Sequence, residues 1–271
     1  MQRRAYLDGA DIEFNVQGSG EPLLLIHGAI IADGFRPVAL EPAIAEDYRV
    51  ISYHRRGYVG SSRLTSPITM HGWAAEAAAL LRHLDVLSAH VAGHSYGGGI
   101  ALQLTLDAPG MVHSLALLEP PLLPAVPSGP QFSEWITSVT KVYETGDKVA
   151  SADAALIGVF GPNYRQLVDG ALPPGAFDLG VADIDTFFQF ELEALQNWNV
   201  TADDVGRLRQ PVLSMLGGDT LPIFGEVHDL IKQRVPQAEG VVVPNATHAL
   251  PLMEPGAVAD GLAGFFARHK F

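Results

Sequence analysis

The sequence predicts an α/β fold built on a doubly wound, mostly parallel β-sheet, with a helical cap inserted between two strands. Three observations support this prediction. Strand-like and helix-like patterns alternate along the chain, which is typical of a parallel sheet covered by helices. Several strand candidates are continuous apolar runs, as expected for strands buried on both faces. The stretch 120–209 interrupts the alternation, because it is rich in proline and contains no convincing core strand.

The strand candidates follow one another along most of the chain. Residues 11–16 alternate apolar and polar side chains, which predicts a half-exposed strand. The other candidates are apolar or β-branched runs that predict buried strands, at residues 22–28, 48–53, 90–92, 114–118, 211–216 and 240–243. Most of the sheet is therefore expected to lie inside the molecule.

Helical patterns connect these strands. In the stretch 72–84, Trp73, Ala77 and Leu81 recur at helical spacing, so they share one face. A second helix is expected to open at Gly97, and an amphipathic helix over residues 254–269 is expected to close the chain. Helices between successive parallel strands are what a doubly wound sheet requires.

The chain is long and apolar enough for one large core domain. It has 271 residues, of which 48% are hydrophobic. We expect residues 1–119 and 210–271 to form this core and residues 120–209 to form the cap. Most cap aromatics are expected to pack with one another, while Trp135, Phe187 and Phe188 are candidates to line a ligand pocket, since such pockets are largely apolar.

Composition excludes several classes of function. The chain has no cysteine, which excludes disulfides, thiolate metal sites and a cysteine nucleophile. Its net charge of −13 argues against nucleic acid or an anionic membrane as a partner. No apolar run approaches the roughly 20 residues that span a bilayer, and the N-terminus lacks the apolar region of a signal peptide. A cytoplasmic monomer or homodimer that binds a small molecule is expected.

One motif predicts a nucleophile. Residues 93–97 read Gly-His-Ser-Tyr-Gly, with a short apolar run before them and a helical pattern after them. This is the strand–turn–helix context of a nucleophile elbow, a strained turn that exposes a serine hydroxyl. Small residues are needed at Gly93 and Gly97, because the strand and helix backbones pass close together there. Ser95 is therefore the predicted nucleophile.

A serine hydroxyl needs a base within hydrogen-bonding reach and a group that orients the base. His248 is the predicted base, because it follows the last strand candidate and precedes the closing helix. Asp219 is the predicted orienting acid, since it follows the strand candidate 211–216. Glu119 is the alternative, because it lies at the end of the preceding core strand, and the carboxyl ends of strands face the ligand. Glu119 could instead line the pocket or anchor the cap.

A tetrahedral intermediate needs backbone donors. The amides of Tyr96, directly after the nucleophile, and Ala29, in the loop after the first buried strand, are the predicted oxyanion hole. His27, Ile30 and His94 are added to the pocket candidates. The remaining histidines are expected on the surface or on helices, and neither a metal nor a cofactor is expected.

The chain resembles the α/β-hydrolase fold superfamily over nearly its whole length. The matching segments are residues 25–28, 56–61, 93–97, 218–219 and His248. The resemblance implies Ser95 as nucleophile, Asp219 as acid, His248 as base and chemistry without a cofactor. The chain departs from many relatives at His54, where they have an aspartate, and its Asp219 segment is one residue shorter than the common pattern.

The identity of residue 95 at the nucleophile elbow narrows the range of possible reactions. Epoxide hydrolases and haloalkane dehalogenases use aspartate at the elbow, so Ser95 argues against both. The sequence predicts a serine hydrolase that acts on a small, largely apolar ester, lactone or related acyl substrate. Arg36, Arg55 or Arg165 could each supply one charge to an anionic substrate. The alternatives are a C–C bond hydrolase or lyase on the same scaffold, and a ligand-sensing protein with a slow or vestigial triad.

Overall fold

A computed structural model describes residues 2–271 and confirms the predicted fold class. Eight strands form one sheet in the order β1-β2-β4-β3-β5-β6-β7-β8. The strands are β1 (Arg3–Leu7), β2 (Ala10–Gln17), β3 (Glu21–Ile26), β4 (Tyr48–His54), β5 (Ala89–His94), β6 (Val112–Leu118), β7 (Val212–Gly217) and β8 (Glu239–Val243). Each strand predicted from the sequence is present, with ends shifted by at most two residues.

The first strand is the one the sequence analysis missed. It pairs antiparallel with β2, which in turn pairs antiparallel with β4, whereas all later pairs are parallel. The loop that joins β1 to β2 is the dipeptide Asp8-Gly9, and both residues have positive φ, of 45° and 89°. Two such residues fit a type I′ hairpin turn, for which Asp-Gly is a preferred sequence.

Helices fill the connections between the strands. They are α1 (Arg36–Leu40), α2 (Pro42–Ala45), α3 (Met70–His83), α4 (Tyr96–Asp107), α5 (Gly129–Tyr143), α6 (Lys148–Phe160), α7 (Tyr164–Ala171), α8 (Ala176–Ala182), α9 (Leu192–Gln196), α10 (Ala202–Val205), α11 (Pro222–Arg234), α12 (Leu250–Met253) and α13 (Pro255–Arg268). Among the described residues, none of these helices is long and apolar enough to cross a membrane.

Two apolar layers cover the sheet. One contains side chains of α3, α4 and α11, and the other contains side chains of α1, α2 and α13. Strand β3 serves both layers, because Leu24 and Ile26 belong to the first and Leu23 and Leu25 to the second. Since neighbouring side chains of a strand point to opposite faces, a continuous apolar run is what burial on both faces requires.

Residues 120–209 form a helical insertion between two strands that are direct neighbours. Strands β6 and β7 pair in parallel, with Leu115 opposite Val212. The described chain between them contains α5 to α10 and the π-helical turn Thr186–Glu191, and no strand. Because β6 and β7 are parallel, the insertion leaves the sheet at its carboxyl edge, where Ser95 also lies, and returns to the amino end of β7 at the opposite edge.

Candidate active site

Ser95 occupies a strained turn between β5 and α4. Its backbone has φ 53° and ψ −124°, a region that residues other than glycine rarely adopt. The turn is held because the Ser95 amide donates to the Leu118 carbonyl at 2.8 Å, while the Ser95 carbonyl accepts from the Gly98 amide at 2.8 Å. A methyl group on Gly97 would overlap the carbonyl oxygens of Ile26 and His27. Only glycine allows α4 to start this close to β3.

Three side chains form a hydrogen-bonded series that ends at Ser95. His248 Nε2 lies 2.8 Å from Ser95 Oγ, and His248 Nδ1 lies 2.5 Å from Glu119 Oε2. The Glu119 carboxylate also accepts from the Gly217 amide at 2.7 Å and from Thr220 Oγ1 at 3.0 Å. Glu119 and His248 are both buried. The series has the order nucleophile, base and acid that activates a serine hydroxyl.

The structure corrects the predicted acid. Asp219 is exposed, and its backbone amide donates to the Ala246 carbonyl at 2.9 Å, so it belongs to a surface turn. Glu119, the alternative, is the carboxylate that contacts His248. Because β6 and β7 are adjacent, a residue that follows either strand starts near the same place. The longer glutamate side chain, which leaves β6 with φ 51°, is the one that reaches the imidazole.

The environment of His248 fixes the plane of its ring. Phe224 stacks on it with a centroid distance of 4.1 Å and an interplanar angle of 9°. The His248 carbonyl accepts a hydrogen bond of 2.8 Å from His94 Nε2. Burial, with the nearby His248 as a smaller cause, lowers the pKa of His94 to about 3. His94 is therefore a neutral donor that holds the His248 segment, and it does not compete for the Ser95 hydroxyl.

The two amides predicted for the oxyanion hole are free to bind a ligand. Within residues 2–271, no protein acceptor is bonded to the amide of Ala29 or of Tyr96. Tyr96 is the first residue of α4, where amides have no partner within the helix. The Ile30 amide is not available, because it donates to the Tyr58 hydroxyl at 3.1 Å.

Ser95 opens into a cavity of about 80 Å³ between the sheet and the helical insertion. Four of the predicted pocket residues line it, namely Ile30, His94, Trp135 and Phe187. Further aromatic and aliphatic side chains from the insertion and from α11 complete the wall, among them Phe132, Ile136, Leu156, Val159, Phe160, Leu192, Leu195 and Phe224. No Asp, Glu, Lys or Arg of the described chain lines this cavity.

Three predicted pocket residues lie elsewhere. His27 is buried behind the loop 28–30, where its Nδ1 lies 2.7 Å from the Gly28 carbonyl. Glu119 lies behind His248 and does not line the cavity. Phe188 faces away and stacks on Tyr143 with a centroid distance of 4.4 Å. In each case the sequence indicated a residue near the cavity. Whether its side chain faces the cavity depends on packing partners that are distant in the chain.

The arginines considered for an anionic substrate are also placed away from the cavity. Arg36 and Arg165 are exposed, and Arg165 pairs with Asp153. Arg55 is fully buried and pairs with the equally buried Glu191 of the π-helical turn. This ion pair joins residues 136 positions apart, so no local pattern in the sequence could have indicated it.

The fold and the site define the class of protein. An eight-stranded, mostly parallel sheet carries a serine at a strained strand–helix turn, and a histidine contacts that serine. The family model for the alpha/beta hydrolase family matches residues 23–261, so the chain belongs to this family. The resemblance inferred from the sequence motifs is thus confirmed.

Individual relatives differ in activity. The chain is 27% identical to the dihydrolipoyllysine-residue acetyltransferase component of the acetoin cleaving system of Pseudomonas putida, over 92% of this chain and 64% of that protein. It is 32% identical to a non-heme haloperoxidase of Rhodococcus erythropolis, over 46% of each chain. The chain thus spans less than two thirds of these curated relatives.

A solved structure matches the fold over nearly all of the chain. The enol-lactonase from Burkholderia xenovorans LB400 superposes with a TM-score of 0.82 and 19% sequence identity, covering 97% of this chain and 99% of the lactonase. At this level of identity the match supports the common fold, and the reaction must be argued from the site itself.

Proposed function

We propose that this hydrolase is a cofactor-free serine esterase or lactonase that acts on a small, uncharged, largely apolar substrate through an acyl-enzyme. The observation that carries the proposal is the series Ser95–His248–Glu119, which ends at an apolar cavity beside two free backbone amides. A nucleophile, an oriented base and donors for an oxyanion are the components that acyl transfer needs.

In the first half-reaction, His248 Nε2 takes the proton of the Ser95 hydroxyl as Oγ attacks the substrate carbonyl. The carbonyl oxygen becomes an oxyanion, and the amides of Ala29 and Tyr96 donate to it. Glu119 stabilises the imidazolium that forms on His248. The intermediate collapses when the bond to the leaving oxygen breaks and His248 returns the proton to it, which releases an alcohol and leaves an ester on Ser95.

In the second half-reaction, a water molecule takes the place of the alcohol. His248 removes a proton from the water, whose oxygen attacks the acyl carbon and forms a second oxyanion in the same hole. The bond between the acyl carbon and Ser95 Oγ then breaks, and the proton on His248 returns to Ser95. The products are a carboxylic acid and the regenerated enzyme. A lactone follows the same route and gives a single hydroxy acid.

The composition of the cavity wall favours an uncharged substrate. A carboxylate on the acyl part would lose its hydration without gaining a cationic partner, because no lysine or arginine lines the described cavity. We propose that the helical insertion acts as a cap that supplies most of this apolar wall. Lactones are included in the proposal because they are cyclic esters that react through the same acyl-enzyme. The solved structure with the matching fold is itself an enol-lactonase.

The test is hydrolysis of p-nitrophenyl esters and alkyl lactones of rising chain length by the wild type and by Ser95→Ala. A fluorophosphonate probe should label the wild type stoichiometrically and leave Ser95→Ala unlabelled. We expect turnover to fall to background in Ser95→Ala, with an unchanged melting temperature. Substantial turnover by a folded Ser95→Ala would refute the mechanism. Labelling without turnover of any ester or lactone would favour C–C bond hydrolysis or ligand sensing.

A further inference from the structure

Arg55 lies directly behind the loop that carries the oxyanion donor Ala29. Its side chain is fully buried, and its guanidinium is surrounded by the rings of Tyr58, Trp73 and Tyr96, with centroid distances of 5.0, 5.1 and 5.1 Å. Its Nη2 donates to the Gly28 carbonyl at 2.8 Å, and its Nη1 donates to Glu191. A charge this deeply buried is costly unless it is paired, and here the pairing extends to the backbone of the loop.

The contact with Gly28 determines where the Ala29 amide points. The peptide bond between Gly28 and Ala29 is trans, so the Gly28 carbonyl and the Ala29 N–H point in opposite directions. Two donors hold the carbonyl, namely Arg55 Nη2 and His27 Nδ1 at 2.8 and 2.7 Å. The Ala29 N–H is thereby kept pointing away from Arg55, towards the cavity that Ala29 lines.

Tyr58 holds the next peptide unit of the same loop. Its hydroxyl accepts from the amide of Ile30, whose φ of 65° is strained for a β-branched residue. The hydroxyl therefore removes the rival donor and stabilises the turn that exposes Ala29. Gly28 packs against the nucleophile, since a methyl group there would lie 3.3 Å from Ser95 Cβ. A small rotation of this loop would move a donor relative to Ser95.

Glu191 connects this scaffold to the helical insertion. It is fully buried and ends the π-helical turn Thr186–Glu191, and turns of this kind are frequent at functional sites. Burial raises the pKa of its carboxyl, while the charge of Arg55 opposes that change. Neither Arg55 nor Glu191 lines the cavity, so neither side chain is available to contact substrate there.

We infer that Arg55 and Tyr58, with Arg55 braced by Glu191 of the insertion, are positioning residues that aim the Ala29 amide into the oxyanion hole. The insertion then contributes to the chemical step through Glu191, in addition to forming the pocket wall. This inference rests on the proposed serine hydrolase function, because it concerns the oxyanion of that mechanism.

The first test separates positioning from stability. Breaking a buried ion pair on one side destabilises a fold, whereas replacing both partners by apolar residues of similar size is often neutral. The double variant Arg55→Met/Glu191→Leu should therefore fold with a melting temperature near that of the wild type. Losing one oxyanion donor costs about 10²- to 10³-fold in kcat, so we expect a misaimed donor to cost about 10- to 100-fold, with an unchanged KM.

The second test uses a matched pair of tyrosines. Tyr58→Phe removes the hydroxyl that binds the Ile30 amide, whereas Tyr53→Phe removes a buried hydroxyl that has no partner among residues 2–271. We expect Tyr58→Phe to lower kcat by about 10-fold and Tyr53→Phe to leave it unchanged. A trifluoromethyl ketone, which forms an oxyanion on Ser95, should bind more weakly to Tyr58→Phe by the same factor as kcat falls.

The outcomes are distinguishable. Folded double and Tyr58→Phe variants with wild-type kcat would overturn the inference alone, as would a fall in activity that is confined to KM. If the double variant does not fold, the comparison of Tyr58→Phe with Tyr53→Phe decides. Absence of fluorophosphonate labelling and of turnover in the folded wild type would overturn the proposed function and this inference with it.

Discussion

Glu119 is the residue whose role can be tested most directly, because the sequence and the structure point to different acids. The perturbation is Glu119→Gln, which keeps the size of the side chain and removes its charge. A glutamine that accepts from the Gly217 amide through its oxygen would present its NH2 group to His248 Nδ1. That group would favour the tautomer with a proton on Nε2, which cannot accept the proton of Ser95.

The size of the effect follows from the geometry. His248 Nδ1 and Glu119 Oε2 lie 2.5 Å apart, and both side chains are buried. When His248 becomes an imidazolium, the two charge centres are roughly 4 Å apart, and at an effective dielectric constant of about 20 their attraction is about 4 kcal/mol. Since 1.36 kcal/mol corresponds to a tenfold change in rate, we expect kcat to fall by about 10³-fold.

The assay is the initial rate with the best p-nitrophenyl ester, combined with a thermal melt for each variant. Asp219→Asn is the matched control, because it makes the same chemical change on an exposed turn, and its kcat should stay within about twofold of the wild type. The reasoning would be refuted if folded Glu119→Gln kept more than a tenth of the wild-type kcat while Asp219→Asn lost about 10³-fold.

Two further predictions concern stability and substrate choice. The pKa of His94 is depressed from 6.5 to about 3, so the contribution of its neutral form to stability is present above pH 6.5 and is lost as the pH falls towards 3. Between pH 7.5 and 4.5, His94→Gln should therefore lose about 3 kcal/mol less unfolding free energy than the wild type, and equal losses in urea titrations would contradict this. Trp135→Ala should enlarge the cavity and shift the preferred acyl chain to greater length, and an unchanged length profile would show that Trp135 does not limit the substrate.

The sequence predicted the fold and the strained turn at Ser95 because both depend on local patterns. Buried parallel strands need continuous apolar runs, and the elbow needs glycine at positions 93 and 97, where a side chain would overlap the backbone. Strand β1 was missed although its signal was present, since the dipeptide Asp8-Gly9 is a strong hairpin turn. The exposed, charged residues of β1 do not show the pattern of a buried strand.

Two features of the site depend on contacts between residues that are distant in the chain. They are the choice of the acid and the ion pair between Arg55 and Glu191. Both Glu119 and Asp219 follow strands that end at the same edge, so chain order alone did not choose between them. The choice depends on which carboxylate accepts hydrogen bonds from the Gly217 amide and from Thr220 beside His248. Likewise, the sequence allows Arg55 to face an anionic substrate, whereas in the structure its guanidinium pairs with the buried Glu191.

The adjacency of β6 and β7 has a consequence for how this protein could diversify. The helical insertion begins and ends at neighbouring strands, while Ser95, Glu119 and His248 all belong to the surrounding core. A recombination event that exchanged residues 120–209 would bring a new cavity wall to an unchanged arrangement of Ser95, His248 and Glu119. The exchange would be constrained at one point, because the incoming module would have to supply a buried carboxylate opposite Arg55.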